Sequence, residues 1–146
     1  MNIKNYISID FPSNSSNEAF ARAAAAAFVS QLDPTLEELG DIRTAVSEAV
    51  TNCIVHAYPR ELGRIRMRLR VIGEDTLDIT VRDWGVGIED VARAMQPLYT
   101  TGGEERSGMG FSIMQSFTDT LHVRSAPGKG TTVSMRRRIF RRGRRE

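Results

Sequence analysis

A single cysteine, Cys53, leaves this chain no internal disulfide, and its place on an apolar stripe marks it as a core filler rather than a nucleophile. No apolar run approaches the roughly 20 residues of a membrane span. The N-terminus alternates polar and apolar residues and has neither a basic leader nor a long apolar stretch. No signal peptide is therefore expected, and the cytoplasm is the expected compartment. Internal repeats and domain-boundary linkers are missing as well. What remains, 146 residues with 40% hydrophobic and 26% charged side chains, is enough for one soluble domain with a real core and too little for two.

Charge is unevenly placed. Residues 136–146 hold seven Arg and one Glu, a net of +6, so the preceding 135 residues carry −4 of the chain's total of +2. A basic tail, 136–146, thus follows an acidic domain, 1–135, and it suits either solvent or an acidic or phosphate-rich partner. Without interleaved aromatics beyond Phe140 the run carries charge and no means of reading bases, so direct nucleic-acid binding is not expected.

Ile3, Ile7, Ile9 and Phe11 stand at even spacing and predict a strand over residues 2–11 that Pro12 ends. Ser15-Ser16-Asn17-Glu18 has capping-box spacing and opens a first helix, through the small residues Ala23–Ala27 to Leu32, closed by Asp33-Pro34. Arg22 is its only basic residue. Thr35-Leu36-Glu37-Glu38 repeats the pattern and opens a second helix reaching about Ala57, before Tyr58-Pro59. Along it Leu39, Ile42, Val46, Ala49, Cys53 and Ala57 form the apolar stripe. Helical residues turn by about 100°, so Glu48 and Asn52, four apart, share a face beside that stripe. Polar groups so placed need partners, because an unpaired buried amide costs roughly 1–3 kcal/mol. The pair is either satisfied within the protein or holds a metal and a ligand.

Residues 64–72 alternate, with Ile65, Met67, Leu69 and Val71 on one face and Arg64, Arg66, Arg68 and Arg70 on the other. Gly73-Glu74-Asp75 turns the chain, and Leu77, Ile79 and Val81 mark the returning strand of an antiparallel hairpin. The arginine face suits solvent or an anion. The hairpin feeds Asp83-Trp84-Gly85-Val86-Gly87, where paired glycines permit close approach of a flat ligand and a carboxylate at the strand end can accept from an amine. A short helix is expected around Asp90–Met95, then a lid-like loop from Pro97 to Gly110. Gly108-Met109-Gly110 opens a helix over Phe111–Phe117, turning backbone N–H groups toward an anion beneath the loop. Strands over Leu121–Ser125 and Thr131–Met135 flank the turn Pro127-Gly128-Lys129-Gly130. Helices that do not alternate singly with strands predict an α+β fold whose antiparallel or mixed sheet carries its helices on one face.

Four elements stand in order: Glu48-x-x-x-Asn52, Asp83-x-Gly85-x-Gly87, Gly108-x-Gly110 and Gly128-x-Gly130-Thr131. Together they resemble the Bergerat (GHKL) ATP-binding fold shared by gyrase, heat-shock protein 90, histidine kinases and mismatch-repair MutL proteins. The segments 46–52, 97–101 and 105–111 further resemble the anti-sigma F factor family of endospore-forming bacteria, which are serine kinases. The resemblance implies a two-layer α/β sandwich with a mixed, mostly antiparallel sheet, and ATP and Mg²⁺ as cofactors. It implies Asn52 as the Mg²⁺ ligand, Asp83 as acceptor of the adenine amino group, and Gly85 and Gly87 as admitting the ring. Thr100, Thr101, Ser107, Gly108, Met109, Gly110 and Thr131 would line the nucleotide, with Arg106 neutralising charge near the terminal phosphate. Glu48 would be the general base toward a serine hydroxyl. The implied partners are a sporulation sigma factor (sigma F), held inactive by an ATP-bound homodimer, and an anti-anti-sigma factor phosphorylated on serine, with Arg22 as a partner contact. Gly102-Gly103, where the family would carry a basic residue, and the Arg-rich tail depart from the pattern.

Other readings stay open beside it. A histidine kinase would need a helical hairpin bearing a phosphoacceptor histidine, and His56 and His122 suit ordinary structural roles better. Gyrase-like ATPases would need a second domain. A general-stress anti-sigma kinase would share the same ATP-site motifs. A sigma-sequestering module without catalysis would have no use for Glu48, and a nucleic-acid binder driven by the tail would lose DNA steeply with salt.

Overall fold

Alternating side chains are the strongest local instruction in this chain, and the strands follow them. The computed structural model describes residues 1–96 and 110–140. Five strands, β1 (Ile3–Pro12), β2 (Arg64–Ile72), β3 (Thr76–Asp83), β4 (Thr120–Ser125) and β5 (Thr131–Arg138), form one sheet in the order β1-β2-β3-β5-β4. Every pairing among the described residues is antiparallel, the predicted β2–β3 hairpin included. Pro12 closes β1 on the sheet edge, opposite Arg64, where its missing N–H costs no ladder bond. Ile65, Met67, Leu69, Leu77, Ile79, Val81 and Met135 point to one face and are fully buried there. Each such side chain contributes about 1.5–3 kcal/mol by leaving water.

Helices α1 (Asn17–Val29), α2 (Leu36–Asn52) and α4 (Gly110–Phe117) share the core on that face, with α2 packed between the other two. The fourth, α3, is the short Val91–Ala94, capped by the Asp90 carboxylate on Arg93 N–H at 3.0 Å. The second predicted capping box forms: Thr35 Oγ1 accepts from Glu38 N–H at 3.1 Å, and Glu38 Oε1 accepts from Thr35 N–H at 3.0 Å. The first does not. Ser16 gives no side-chain cap to α1, and Asn14 Oδ1 instead accepts from the N–H and hydroxyl of Ser16 at 3.0 and 2.7 Å. The chain ahead of α1 is thus folded by an Asx turn at Asn14 in place of the predicted box. Helix α1 also stops earlier than predicted, tightening into a 3₁₀ turn over Ser30–Leu32 before Asp33 turns left-handed at φ 52°.

Two further differences bear on the site. Past Asn52 the second helix widens into a π-helical turn, Cys53–Ala57, rather than continuing as α-helix. And β5 does not end at Met135: it runs to Arg138 and pairs with β3 throughout. Arginines 136, 137 and 138 are held by Asp78, Asp41 and Asp75 at 3.1, 2.9 and 2.8 Å. Ile139 is buried, and Phe140 N–H donates to Glu38 Oε2 at 2.8 Å. A charge count along the sequence could not show that these three arginines belong to a strand.

Candidate functional site

Helix α2, the end of β3 and the start of α4 converge on one cleft. Its walls are Ala49, Asn52, Cys53, His56 and Ala57 from the second helix, Asp83, Gly87 and Ile88 from the strand end and turn, Phe111 from α4, and Thr131 and Val133 from β5; they enclose about 350 Å³ open to solvent. Most of this lining is apolar, with a few polar groups, the Asp83 carboxylate among them, set into it. That division suits a planar ring set on edge against a carboxylate.

Asp83 supplies that carboxylate. It is 4% exposed. Its Oδ1 accepts from Gly85 N–H at 3.0 Å and Thr131 N–H at 3.2 Å, and the Cys53 thiol also hydrogen-bonds to it. Burial pushes the Asp83 carboxyl above its ordinary range, against the opposing pull of those three donors. Burial pushes the Cys53 thiol up too, with the Asp83 charge adding to it, so the thiol stays protonated and acts as a donor. A carboxylate offers about four acceptor sites. Three donors leave Asp83 able to take one more hydrogen bond, from an amine in the cleft.

The turn after Asp83 is pinned from both sides. Val86 N–H donates to Ala57 O at 2.9 Å, tying the turn to the π-helical end of the second helix, and Gly128 N–H donates to Val86 O at 2.7 Å. Gly87 takes φ +77°, and a Cβ there would collide with the Ala126 carbonyl, which is the physical reason for glycine. The Ser125 hydroxyl joins the two halves: it accepts from Ile88 N–H at 2.7 Å, donates to Gly130 O at 2.8 Å and lies 2.8 Å from Thr131 Oγ1.

At the opposite end, Glu48 and Asn52 project from α2 toward the first residue of α4. A Cβ on Gly110 would lie 3.2 Å from Asn52 Oδ1 and 3.3 Å from Glu48 Oε1. The carboxylate, the amide and a helix N-terminus with its partial positive charge therefore meet at one point. Among the described residues no group of three His, Cys, Asp or Glu could hold a metal ion. A divalent cation beside Asn52 would draw its other oxygens from water and from a bound phosphate, as Mg²⁺ usually does.

The architecture has known counterparts. The profile of the histidine kinase-like ATPase domain matches residues 11–137. An anti-sigma F factor of Caldanaerobacter subterraneus is 55% identical over 142 residues, covering 97% of this chain and 99% of its own. Those of Pasteuria penetrans and Clostridium beijerinckii are 57% and 52% identical, over 93% and 92% of this chain and 92% and 95% of theirs. The chain belongs to the anti-sigma F factor family of histidine kinase-like ATPase domains. Solved structures agree on the fold. The RsbU and RsbW domains of a Mycobacterium tuberculosis protein superpose with a TM-score of 0.67 at 16% identity, over 93% of this chain and 33% of that one. The mycobacterial sensor histidine kinase MprB gives 0.59 at 15% identity, over 92% of this chain and 98% of that one.

An anti-sigma F family member of this kind is an ATP-binding, kinase-type domain, and the cleft brings Asn52, Asp83, Gly87 and Thr131 together, with Gly110 bordering Glu48 and Asn52. Gly85 lies behind the wall, its Cα against the Ala57 carbonyl. Thr100, Thr101, Arg106, Ser107, Gly108 and Met109 lie outside the described residues. Arg22 is apart from the cleft, exposed on α1 and paired with Glu18 at 3.1 Å. Two polar residues of the cleft, His56 and Cys53, and Ser125 beside it escaped the sequence reading of the site. His56 follows Asn52 by four positions and so shares its side of the helix, a usable signal; Cys53 and Ser125 act through hydrogen bonds that no spacing announces. Among the described residues no helix is long and apolar enough to cross a membrane.

Proposed function

We infer that this protein is a cytoplasmic, ATP- and Mg²⁺-dependent serine kinase that phosphorylates an anti-anti-sigma factor and, as a nucleotide-bound homodimer, sequesters a sporulation sigma factor. The observation that carries the reading is the meeting of Glu48, Asn52 and the α4 N-terminus around Gly110. In this reading Glu48 is a base and Asn52 a hard-cation ligand, side by side next to the cleft. Bound ATP supplies the transferable phosphoryl group, and Mg²⁺ offsets its charge.

The chain's own residues do the rest. Asp83 and the apolar walls select and orient the base, with Gly85 and Gly87 keeping the turn low enough for it. Asn52 holds the cation through its amide oxygen, while Gly108 and Gly110 present backbone N–H groups to anionic oxygens. Thr100, Thr101, Ser107 and Met109 complete the lining, and Thr131 holds Asp83 in place. Glu48 takes the proton from the attacking serine hydroxyl, and Arg106 stabilises the charge that develops opposite it. Arg22, on a different surface, contacts a protein partner.

The deciding experiment incubates the protein with Mg²⁺ and γ-labelled ATP, with and without the anti-anti-sigma candidate of its own genome, and compares wild type with Glu48→Gln. Label on a serine of the candidate, lost in a variant that still binds nucleotide, is the expected result. Full-rate labelling by Glu48→Gln would overturn the base assignment. Tight nucleotide binding with no label in wild type would leave a sequestering module without catalysis.

A further inference from the structure

The face of the sheet turned away from the helices carries an arrangement that the nucleotide cleft does not use. Register places Asp10, Arg66, Arg82, Thr132 and Arg124 in one cross-strand row, and Ser8, Arg68, Thr80, Ser134 and His122 in the next. Arg64, Arg70, Arg136 and Arg138 surround them on the same face. Among the described residues no helix covers this side.

Carboxylates there are too few for the guanidinium groups. Asp10 is shared by Arg64 and Arg66, and Asp78 by Arg70 and Arg136. Arg82 and Arg124 are exposed and have no ion pair among the described residues. Arg82 is held over the Trp84 ring at 4.6 Å, with Arg64 over the same ring at 4.4 Å. Arg68, in the adjacent row opposite Ser8 and Thr80, is half-buried, its buried Nε without an acceptor and its Nη2 only 3.5 Å from Thr80 Oγ1. Arg66 and Arg82 are also direct cross-strand neighbours, a like-charge pairing that costs stability. Arg82 and Arg124, which lack a carboxylate, and Arg68, whose Nε is desolvated, offer donors that a carboxylate-bearing ligand would complete.

We propose that this outward sheet face, centred on Arg66, Arg68, Arg82 and Arg124, docks an acidic segment of a protein partner. The spacing suits it: neighbouring strands are about 4.8 Å apart and alternate residues about 6.8 Å, close to the separation of carboxylates on successive helical turns or on one face of a strand. A second copy of this chain is disfavoured, since two such faces would oppose arginine to arginine. Single-stranded nucleic acid fits poorly, because Trp84 is already covered by guanidiniums and offers no platform for base stacking. Trp84 follows Asp83 directly, so this surface backs onto the nucleotide cleft.

The test uses the full chain and a fluorescein-labelled 14-residue peptide of alternating Glu and Ala, read by anisotropy at physiological salt. Saturable binding is expected, weakened at least tenfold in Arg82→Gln/Arg124→Gln and unchanged when residues 141–146 are removed. Nucleotide binding should stay at wild-type strength in the double variant. The proposal is overturned if the double variant binds the peptide as wild type does, or if binding is lost with residues 141–146 instead. It is equally overturned if a dT14 oligonucleotide outcompetes the peptide at the same arginines. Self-association that the double substitution abolishes while peptide binding persists would assign the face to a second copy.

Discussion

Gly110 and Asn52 touch: a Cβ on the glycine would come within 3.2 Å of the amide Oδ1. That contact is tighter than side chains usually tolerate, and its other neighbour is the Glu48 carboxylate at 3.3 Å. Gly110→Ala should therefore push both polar groups aside by a few tenths of an ångström without unfolding α4, since alanine is the better helix former. We expect nucleotide affinity about tenfold weaker, or about 1.4 kcal/mol, by titration calorimetry, with the thermal midpoint held or raised. Unchanged affinity would mean that the Gly110 contact does not set the geometry of the phosphate end.

Asp83 links function to pH. Burial raises its carboxyl above the ordinary 3.8, so the folded state binds the proton more tightly than the unfolded chain. Ionised Asp83 thus costs stability above its folded value, and the cost disappears as pH falls through that value. Asp83→Asn removes the charge while its Oδ1 can still accept from Gly85 and Thr131. The variant without nucleotide should unfold at higher urea than wild type at pH 7, with the difference shrinking on acidification. Its nucleotide binding should be lost, because the amide donates where the carboxylate accepts.

Glu38 holds two ends of the chain together. Its Oε1 closes the α2 capping box and its Oε2 accepts from Phe140 N–H, all at 3% exposure. Glu38→Ala should cost about 2–3 kcal/mol, the sum of a lost cap and a stranded N–H, measured as a shift of the urea midpoint at constant slope. Arg137→Ala, which removes the donor to Asp41 Oδ2 and Phe117 O at 2.9 Å each, should be destabilising in the same assay. A surface tail would show neither effect.

Trp84 is the only tryptophan. Its N–H is held by Tyr58 Oη at 2.7 Å, and that hydroxyl donates to Arg64 O at 2.6 Å. Nucleotide entering beside Asp83 should shift Trp84 emission saturably, and Asp83→Asn should abolish the shift. Tyr58→Phe leaves the amide without its acceptor and should cost about 1–2 kcal/mol of stability.

Periodicity and caps made most of the fold legible. Period two marked the inward residues of β2 and β3, and Thr35–Glu38 marked the start of α2 because its two hydrogen bonds are local. Glu48 and Asn52 were readable as a pair because helical spacing alone puts them together. The misplaced features depend on remote partners. Arginines 136, 137 and 138 read as tail because nothing nearby in sequence shows Asp78, Asp41 and Asp75 waiting for them. Ahead of α1 an Asx turn at Asn14 forms where the Ser15–Glu18 spacing pointed to a capping box, a choice between two local motifs that spacing cannot decide. The π-helical turn at Cys53–Ala57 answers to the bond from Val86, some thirty residues away.

Strand β5 emerges last of the five from the ribosome yet lies inside the sheet, between β3 and β4. The three earliest strands can pair among themselves while synthesis continues. Asp83, however, waits for Thr131 N–H, and α2 waits for Phe140. A nascent chain interrupted before residue 131 would carry every helix of the described residues and most of the motifs, yet it would have an incomplete cleft wall and no partner for the inner edge of β3. Such a fragment should not load nucleotide, because the last strand of the chain completes both the sheet and the hydrogen bonding of Asp83.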